Sequence, residues 1–138
     1  MRPNTLAEMT TRIRQGEPLE TALSEFLDTF YTAADADRRI EMLRDEPASI
    51  GSREDALIGA VAEYLSHEYD LPQVPAWAFA ASRYLDRAWH TAPFEDVAMR
   101  EYLTFSSPAE FASRNIFTEE RPLRRARGPL NRAGRVSS

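Results

Sequence analysis

Apolar residues recur at helical spacing from the start of the chain. Three of them lie three or four positions apart on a helix predicted over residues 6–15: Leu6, Met9 and Ile13. Thr5 and Glu8 have the spacing of a capping box, in which a hydroxyl and a carboxylate each accept a bond from a backbone N–H. Gly16 and Pro18 then interrupt the pattern, through backbone freedom and a missing N–H.

Three further amphipathic helices are predicted before residue 70, over residues 18–32, 37–44 and 52–67. Their apolar positions are, in order, Leu19, Leu23, Phe26, Leu27 and Phe30, then Ile40 and Leu43, then Leu57, Val61, Tyr64 and Leu65. Pro18 suits an opening helical turn because the first N–H groups of a helix have no intrahelical acceptor. Ser52 is placed to cap the last of the three.

The next third of the chain is rich in alanine, proline and aromatic residues and loses the helical period. Its aromatic residues include Trp77, Phe79, Tyr84, Trp89 and Phe94. We predict a short helix over residues 77–83, an irregular aromatic turn within residues 84–94, and a second helix over residues 95–104 whose apolar face is poorly defined. An irregular aromatic turn of this kind can line a pocket.

Residues 107–117, with the sequence SPAEFASRNIF, form what we call the C-terminal motif. Ser107 is a favourable helix cap, Pro108 a favourable first helical residue, and Glu110 lies at capping-box spacing from Ser107. Phe111 would point inward one turn later. Asn115 can end a two-turn helix because it tolerates left-handed backbone geometry.

Ile116 and Phe117 follow as an apolar pair just beyond that helix end, and the sequence leaves two interpretations of them. In the first, both side chains pack back on the helices and fasten the C-terminal segment to the body. In the second, they insert into a groove on another protein.

The predicted fold is all-α, because no alternating strand pattern of useful length is present. We expect a small helical bundle of about five to seven short helices, with an irregular aromatic turn region and a basic C-terminal tail. The length of 138 residues suits one α-helical domain over residues 1–120. That domain has a helical-bundle half, 1–70, and an aromatic-rich half, 75–120, and a flexible arginine-rich tail, 121–138, follows it.

Charge is divided unevenly along the chain. All 17 cationic residues are arginines, and the net charge is −5. Residues 1–120 hold 11 arginines and 22 acidic residues, a net −11, whereas residues 121–138 hold six arginines and no acidic residue, a net +6. Such a tail can contact the acidic body, an acidic surface of a partner, or nucleic acid.

Composition also bears on location. The chain has no cysteine, which excludes disulfides and thiolate metal sites and is compatible with a reducing compartment. Its N-terminus lacks an apolar core of signal-peptide length, and no segment approaches the roughly 20 apolar residues of a membrane helix. We therefore expect a soluble cytoplasmic protein with no membrane contact.

Residues suited to catalysis are scarce. His67 follows Glu63 by one helical turn, but two ligands do not complete a zinc site, and His90 stands alone in the aromatic turn. There is no nucleophile elbow, no thiol and no glycine-rich phosphate loop. We predict a protein that is not an enzyme and that has no catalytic residue, cofactor or metal. A hydrolase or transferase that uses surface carboxylates is the weakest alternative.

The C-terminal half resembles a family of small uncharacterised bacterial proteins with a Ser-Pro-x-x-Phe-x-x-Arg-Asn-Ile-Phe motif. The matching positions are Pro75, Trp77, Pro93, Phe94, Ser107, Pro108, Phe111, Arg114, Asn115, Ile116, Phe117, Leu123, Arg125 and Ala126. Members of this family are often encoded beside a nucleotidyltransferase-like toxin. The resemblance therefore implies an antitoxin-like protein that binds a partner.

The leading hypothesis is a small interaction module that binds and restrains a cognate, toxin-like protein. The residues predicted to contact that partner are Phe111, Arg114, Asn115, Ile116, Phe117, Leu123, Arg124, Arg125 and Arg127. The alternative is a regulator that contacts DNA through its arginine-rich tail, although the acidic body would repel a duplex lying across it. The oligomeric state is left open.

Overall fold

The structure, a computed structural model, describes residues 3–91, 107–118 and 123. The chain is mostly helical with little strand, which confirms the predicted all-α class. The helix predicted over residues 95–104 lies outside the described residues, as does the basic tail except for Leu123.

Backbone contacts divide the chain into two compact units. The first unit contains the described residues up to Ile50, together with Glu68–Leu71 and Leu123. The second unit contains Gly51–His67 and the described residues between Pro72 and Thr118. The fourth helix thus groups with the aromatic-rich segment, whereas the sequence suggested a division near residue 70.

The first unit is built from three helices, α1 (Leu6–Arg14), α2 (Leu19–Tyr31) and α3 (Ala36–Arg44). Each matches its prediction within a residue or two at either end, and α1 packs against both α2 and α3. Their apolar stripes supply the buried side chains Leu6, Met9, Ala22, Phe26, Leu27, Phe30, Met42 and Leu43. The hydroxyl of Thr5 accepts a bond from Glu8 N at 3.0 Å, as predicted for the cap of α1.

One arginine of α3 caps the C-terminal end of α2. Arg39 donates to the carbonyl oxygens of Phe30 at 3.1 Å and of Tyr31 and Ala33 at 3.2 Å each. Phe30 and Tyr31 are the last two residues of α2, and Ala33 follows just after it. A cation at this end of a helix complements the helix dipole. The same guanidinium lies 4.3 Å from the ring centre of Tyr69, whose pKa is raised because the ring is partly buried.

The second unit combines one long helix with short elements. Helix α4 (Ser52–Glu68) precedes two turns of 3-10 helix, Ala76–Phe79 and Ala81–Arg83, strand β1 (Trp89–His90), helix α5 (Ala109–Ala112) and strand β2 (Ile116–Phe117). A single helix over residues 77–83 was predicted. Instead Ala80 has an extended backbone, with ψ of 146°, and separates the two turns.

The two strands are parallel, with Trp89 beside Ile116 and His90 beside Phe117. Two-residue strands leave no period in a sequence, so the helical prediction could not have included them. They join the aromatic turn to the C-terminal motif. Among the described helices, none is long and apolar enough to cross a membrane.

Candidate functional site

The centre of the second unit is one face of α4 on which two arginines lie. Asp55, Gly59 and Glu63 are four residues apart and therefore occupy the same face of the helix. Arg83 comes to this face from the second 3-10 turn and Arg114 from the C-terminal motif, and their exposures are 3% and 0%. Two buried cations thus face two carboxylates across a glycine.

Arg114 is held by three hydrogen bonds from its guanidinium. Its Nη1 donates to Glu63 Oε1 at 2.5 Å and to Glu110 O at 2.9 Å, and its Nη2 donates to Ala78 O at 2.6 Å. The guanidinium carbon lies 4.6 Å from the ring centre of Tyr84 and 5.9 Å from that of Phe79. Arg114 therefore connects α4, the first 3-10 turn and the preceding helix α5.

Arg83 makes a looser pair at the N-terminal end of the same face. Its Nη1 lies 4.0 Å from Asp55 Oδ1 and donates to Asp55 O at 3.3 Å. Its guanidinium carbon is 5.0 Å from the ring centre of Trp77. The pair places the second 3-10 turn against the first half of α4.

Gly59 lets both arginines reach the helix. A Cβ at this position would lie 2.9 Å from Arg83 Cβ, 3.2 Å from Arg114 Nε and 3.3 Å from Ala78 O. Two of these neighbours are a Cβ and a backbone oxygen, which side-chain rotation cannot move out of the way. A glycine inside a helix normally costs stability, so its presence here reflects this close approach.

The C-terminal motif fixes the aromatic turn through its backbone. Leu85 N donates to Arg114 O at 3.2 Å, and Asn115 Nδ2 donates to Leu85 O at 2.6 Å. Trp89 N donates to Asn115 O at 2.8 Å, and Thr91 N to Phe117 O at 3.0 Å. The turn therefore takes its conformation from the motif, which explains its order without a helical period.

Asn115 has the left-handed conformation that the sequence predicted, with φ of 64°. The helix before it is shorter than predicted, since α5 covers only Ala109–Ala112. The left-handed residue ends the turn and directs the chain into β2, where Ile116 is fully buried and Phe117 half-buried. The ring centre of Phe117 lies 5.1 Å from that of His90.

Ser107 and Glu110 do not form the predicted capping box. Ser107 instead accepts a bond from Thr118 N at 2.7 Å and donates to Thr118 O at 2.9 Å. Glu110 Oε2 lies 2.5 Å from His67 Nδ1. Pro108 is the N-cap and contributes no side-chain bond. Ser107 thus joins the start of the motif to Thr118, and Glu110 joins it to α4.

The predicted partner-binding residues differ in their exposure. Four of its members are buried: Phe111, Arg114, Ile116 and Leu123. In the folded chain these side chains are at most 5% exposed, and their assignment as contact residues stays a prediction that would require them to become accessible. Ile116 packs back on the second unit, as the first of the two interpretations stated.

The remaining predicted contact residues fall into two groups. Asn115 and Phe117 are half-buried, and both take part in contacts within the second unit. Arg124, Arg125 and Arg127 lie outside the described residues. Leu123 belongs to the first unit, where its carbonyl oxygen accepts a bond of 2.7 Å from the hydroxyl of Tyr31.

Sequence reasoning did not single out Phe79, which is the large apolar side chain that stays exposed within the described ranges, at 48%. It also missed the acidic partners Asp55 and Glu63, because isolated carboxylates on a helix normally belong to a solvated face. The spacing of Asp55, Gly59 and Glu63 puts them on one helix face and could be seen in the sequence. That spacing alone does not predict that Arg83 and Arg114 bind to this face.

The aromatic turn does line an open cavity of about 330 Å³ beside the first turn of α4. Across residues 3–91, 107–118 and 123, no group of three or more histidine and acidic side chains is close enough to hold a metal ion. No family model, curated protein or solved structure matches the chain.

Proposed function

We propose that this protein is a small, non-catalytic, protein-binding module of the cytoplasm that binds and restrains a cognate partner. The resemblance of its C-terminal half to antitoxin-like proteins supports this role and implies a partner of the nucleotidyltransferase type. In this proposal the second unit carries the docking surface. The buried residues of the C-terminal motif hold the backbone of that surface in position.

Phe79 is the observation on which the proposal depends. Its ring is 48% exposed, whereas the other large apolar side chains of the described segments are buried or half-buried. Aromatic side chains that project from a fixed backbone are typical energetic centres of protein interfaces. Phe79 is therefore the proposed anchor.

The backbone around Phe79 is fixed by the buried arginine. Arg114 donates to the carbonyl oxygen of Ala78, the preceding residue, and its guanidinium also lies near the Phe79 ring. A side chain that is already ordered loses less conformational entropy on binding. The motif therefore contributes to affinity by holding the anchor in place.

Four potential acid–base groups in the described part of the second unit are engaged in structural contacts. Asp55 and Glu63 pair with buried arginines, and His67 and Glu110 contact each other. General acid–base catalysis needs such groups positioned on a bound substrate. Their structural use supports a module without catalytic activity.

The test uses the partner that co-purifies with the full-length chain from its native host. Phe79→Ala should weaken the purified complex by about 30-fold or more, as expected for a central aromatic anchor, while the melting temperature of the free protein stays close to that of the wild type. The control is Leu19→Ala, which trims a half-buried leucine in the first unit and should leave affinity unchanged. An unchanged affinity for Phe79→Ala would refute the proposal.

A DNA-contacting regulator is the second candidate, and the charge of the tail favours it. Six arginines without an acidic residue occupy residues 121–138. DNA binding should then weaken steeply with salt and disappear when the chain is truncated after Glu120. A gel-shift experiment without retardation at low salt would exclude this candidate.

A further inference from the structure

The cavity of about 330 Å³ in the second unit has two arginines in its lining, Arg53 from α4 and Arg87 from the aromatic turn. Leu85 and Ala88 give it an apolar part, and Ser52 and Tyr84 contribute hydroxyl groups. Its volume is at the lower end of the range typical of ligand pockets. It can hold a group the size of one amino-acid side chain.

These two arginines differ from the two buried ones. Arg83 and Arg114 are paired with Asp55 and Glu63, whereas neither Arg53 nor Arg87 forms an ion pair within the described part of the chain. Both are exposed. The lining of the cavity therefore includes two arginines that no carboxylate of the described residues pairs with.

The wall of the cavity is fixed by the C-terminal motif. Leu85 is hydrogen-bonded on both sides, from its N–H to Arg114 O and from its carbonyl to Asn115 Nδ2. Trp89 is fixed by its bond to Asn115 O, and the guanidinium carbon of Arg53 lies 5.3 Å from the centre of its ring. This cation–π contact with Trp89 of β1 orients the Arg53 side chain.

We propose that this cavity receives the carboxylate of an acidic side chain from the protein partner. Planar guanidinium groups match a carboxylate with paired hydrogen bonds, and the hydroxyls of Ser52 and Tyr84 can donate as well. Asp86 also lines the cavity, and its charge disfavours a polyphosphate or a nucleic-acid strand relative to a single carboxylate. This inference rests on the proposed function, because it defines the chemistry of the partner at the same unit.

An acidic side chain of a docked protein fits the site better than a free metabolite. Arg53 and Arg87 are open to water, which screens charge interactions and makes binding of an isolated carboxylate weak. A carboxylate on a partner already anchored at Phe79 is present at a high effective concentration. Tyr84 links the two features, since it lines the cavity and lies 4.6 Å from the guanidinium carbon of Arg114, which is 5.9 Å from the ring centre of Phe79.

The probe for the test is acetyl-glutamate amide, titrated into the full-length ¹⁵N-labelled protein and followed by NMR. We expect saturable shifts confined to the amides of Ser52, Arg53 and residues 84–88, with a dissociation constant on the order of millimolar. Arg53→Gln combined with Arg87→Gln should weaken binding about tenfold or more. Arg14→Gln makes the same type of substitution once, at an exposed arginine of the first unit, and should have no effect.

Two further titrations identify the chemistry. Acetyl-glutamine amide, which lacks the charge, should cause no saturable shift, and inorganic phosphate at the same ionic strength should bind no more tightly than the glutamate probe. The assignment is overturned if the glutamate probe causes no saturable shift or if the glutamine probe binds equally well. Tighter binding of phosphate would also overturn it and would indicate a phosphate ligand.

The purified complex separates this inference from the proposed function. We expect the Arg53→Gln, Arg87→Gln double variant to weaken partner binding about tenfold, with a larger effect at low salt. If Phe79→Ala weakens the complex and the double variant does not, only the carboxylate site is overturned. If Phe79→Ala has no effect, the proposed function fails, and the assignment of the carboxylate to the partner fails with it.

Discussion

The two units of the molecule are stabilised in different ways. In the first unit, three regular helices bury apolar stripes, and its central arginine, Arg39, is half-buried at a helix end. In the second unit, Arg83 and Arg114 are buried and paired with acidic residues of α4. The comparison shows that segments without an apolar period can be ordered by a few polar side chains that bond to backbone carbonyls.

This difference changes the meaning of the C-terminal motif. Its polar residues connect segments of the second unit: Arg114 bonds to Glu63 and Ala78, and Asn115 to Leu85. These bonds join the motif to the backbone of its neighbours. Exposed residues of those neighbours, Phe79 among them, are then available for binding.

The largest effect is expected from the buried pair of the second unit. Glu63→Ala leaves the charge of Arg114 buried without its carboxylate, so the free energy of unfolding should fall by about 3–5 kcal/mol. Glu41→Ala is the matched control, because it removes an acid from an exposed pair with Arg38 and should cost less than about 1 kcal/mol. Urea denaturation measures both, and equal effects would contradict the comparison.

The second prediction concerns the apolar pair of β2. Ile116→Ala should lower the free energy of unfolding by about 2–4 kcal/mol, because the side chain is fully buried. Phe117→Ala should cost less, because that ring is half-buried on His90. A larger loss for Phe117→Ala would show that the pair is packed differently from the structure described here.

Gly59→Ala tests whether Arg83 and Ala78 lie as close to α4 as the structure shows. The test is the sign of the change in the free energy of unfolding. Helix propensity alone would stabilise the protein by about 1 kcal/mol. The contacts of a Cβ with Arg83 Cβ and Ala78 O should reverse that sign and give a net loss of about 1–2 kcal/mol. Thermal and urea unfolding give the sign directly, and a stabilised variant would refute the close approach.

The smallest effect is expected in the first unit and depends on pH. Burial raises the pKa of Tyr69 above its usual value near 10, although the charge of Arg39 opposes this shift. The neutral ring is therefore favoured in the folded state, and its contribution to stability is present below pH 10 and lost as pH rises through the raised pKa.

Unfolding by urea between pH 9 and 11.5 measures this loss. Tyr69→Phe is the matched control, because it retains the ring and removes the ionisable group. The wild type should lose more stability over this range than the variant does. Parallel pH profiles for the two proteins would contradict the predicted shift.

The sequence predicted the first unit well, because its helices depend on local signals. The stripe of Leu6 and Met9, the Thr5 cap and the proline before α2 act within a few residues of one another. The left-handed Asn115 was also predicted for a local reason, its tolerance of that backbone region.

The site could be predicted only in part, because its contacts join residues far apart in the chain. Glu63 and Arg114 are 51 positions apart, and Asn115 and Leu85 are 30 apart. A single sequence does not reveal such pairs. The sequence identified Ile116 and Phe117 as a distinct apolar pair. It did not predict that they pair with Trp89 and His90, because each of the two strands has only two residues.

The central claim is that the C-terminal motif orders the aromatic turn from within the second unit. Native-state hydrogen exchange at the amides of Leu85 and Trp89 tests it most directly, because both donate to carbonyl oxygens of the motif. We predict slow exchange at both amides, with protection approaching that of the buried residues of α4. Exchange at the rate of an unstructured peptide would show that the turn is not held by the motif and would contradict the account.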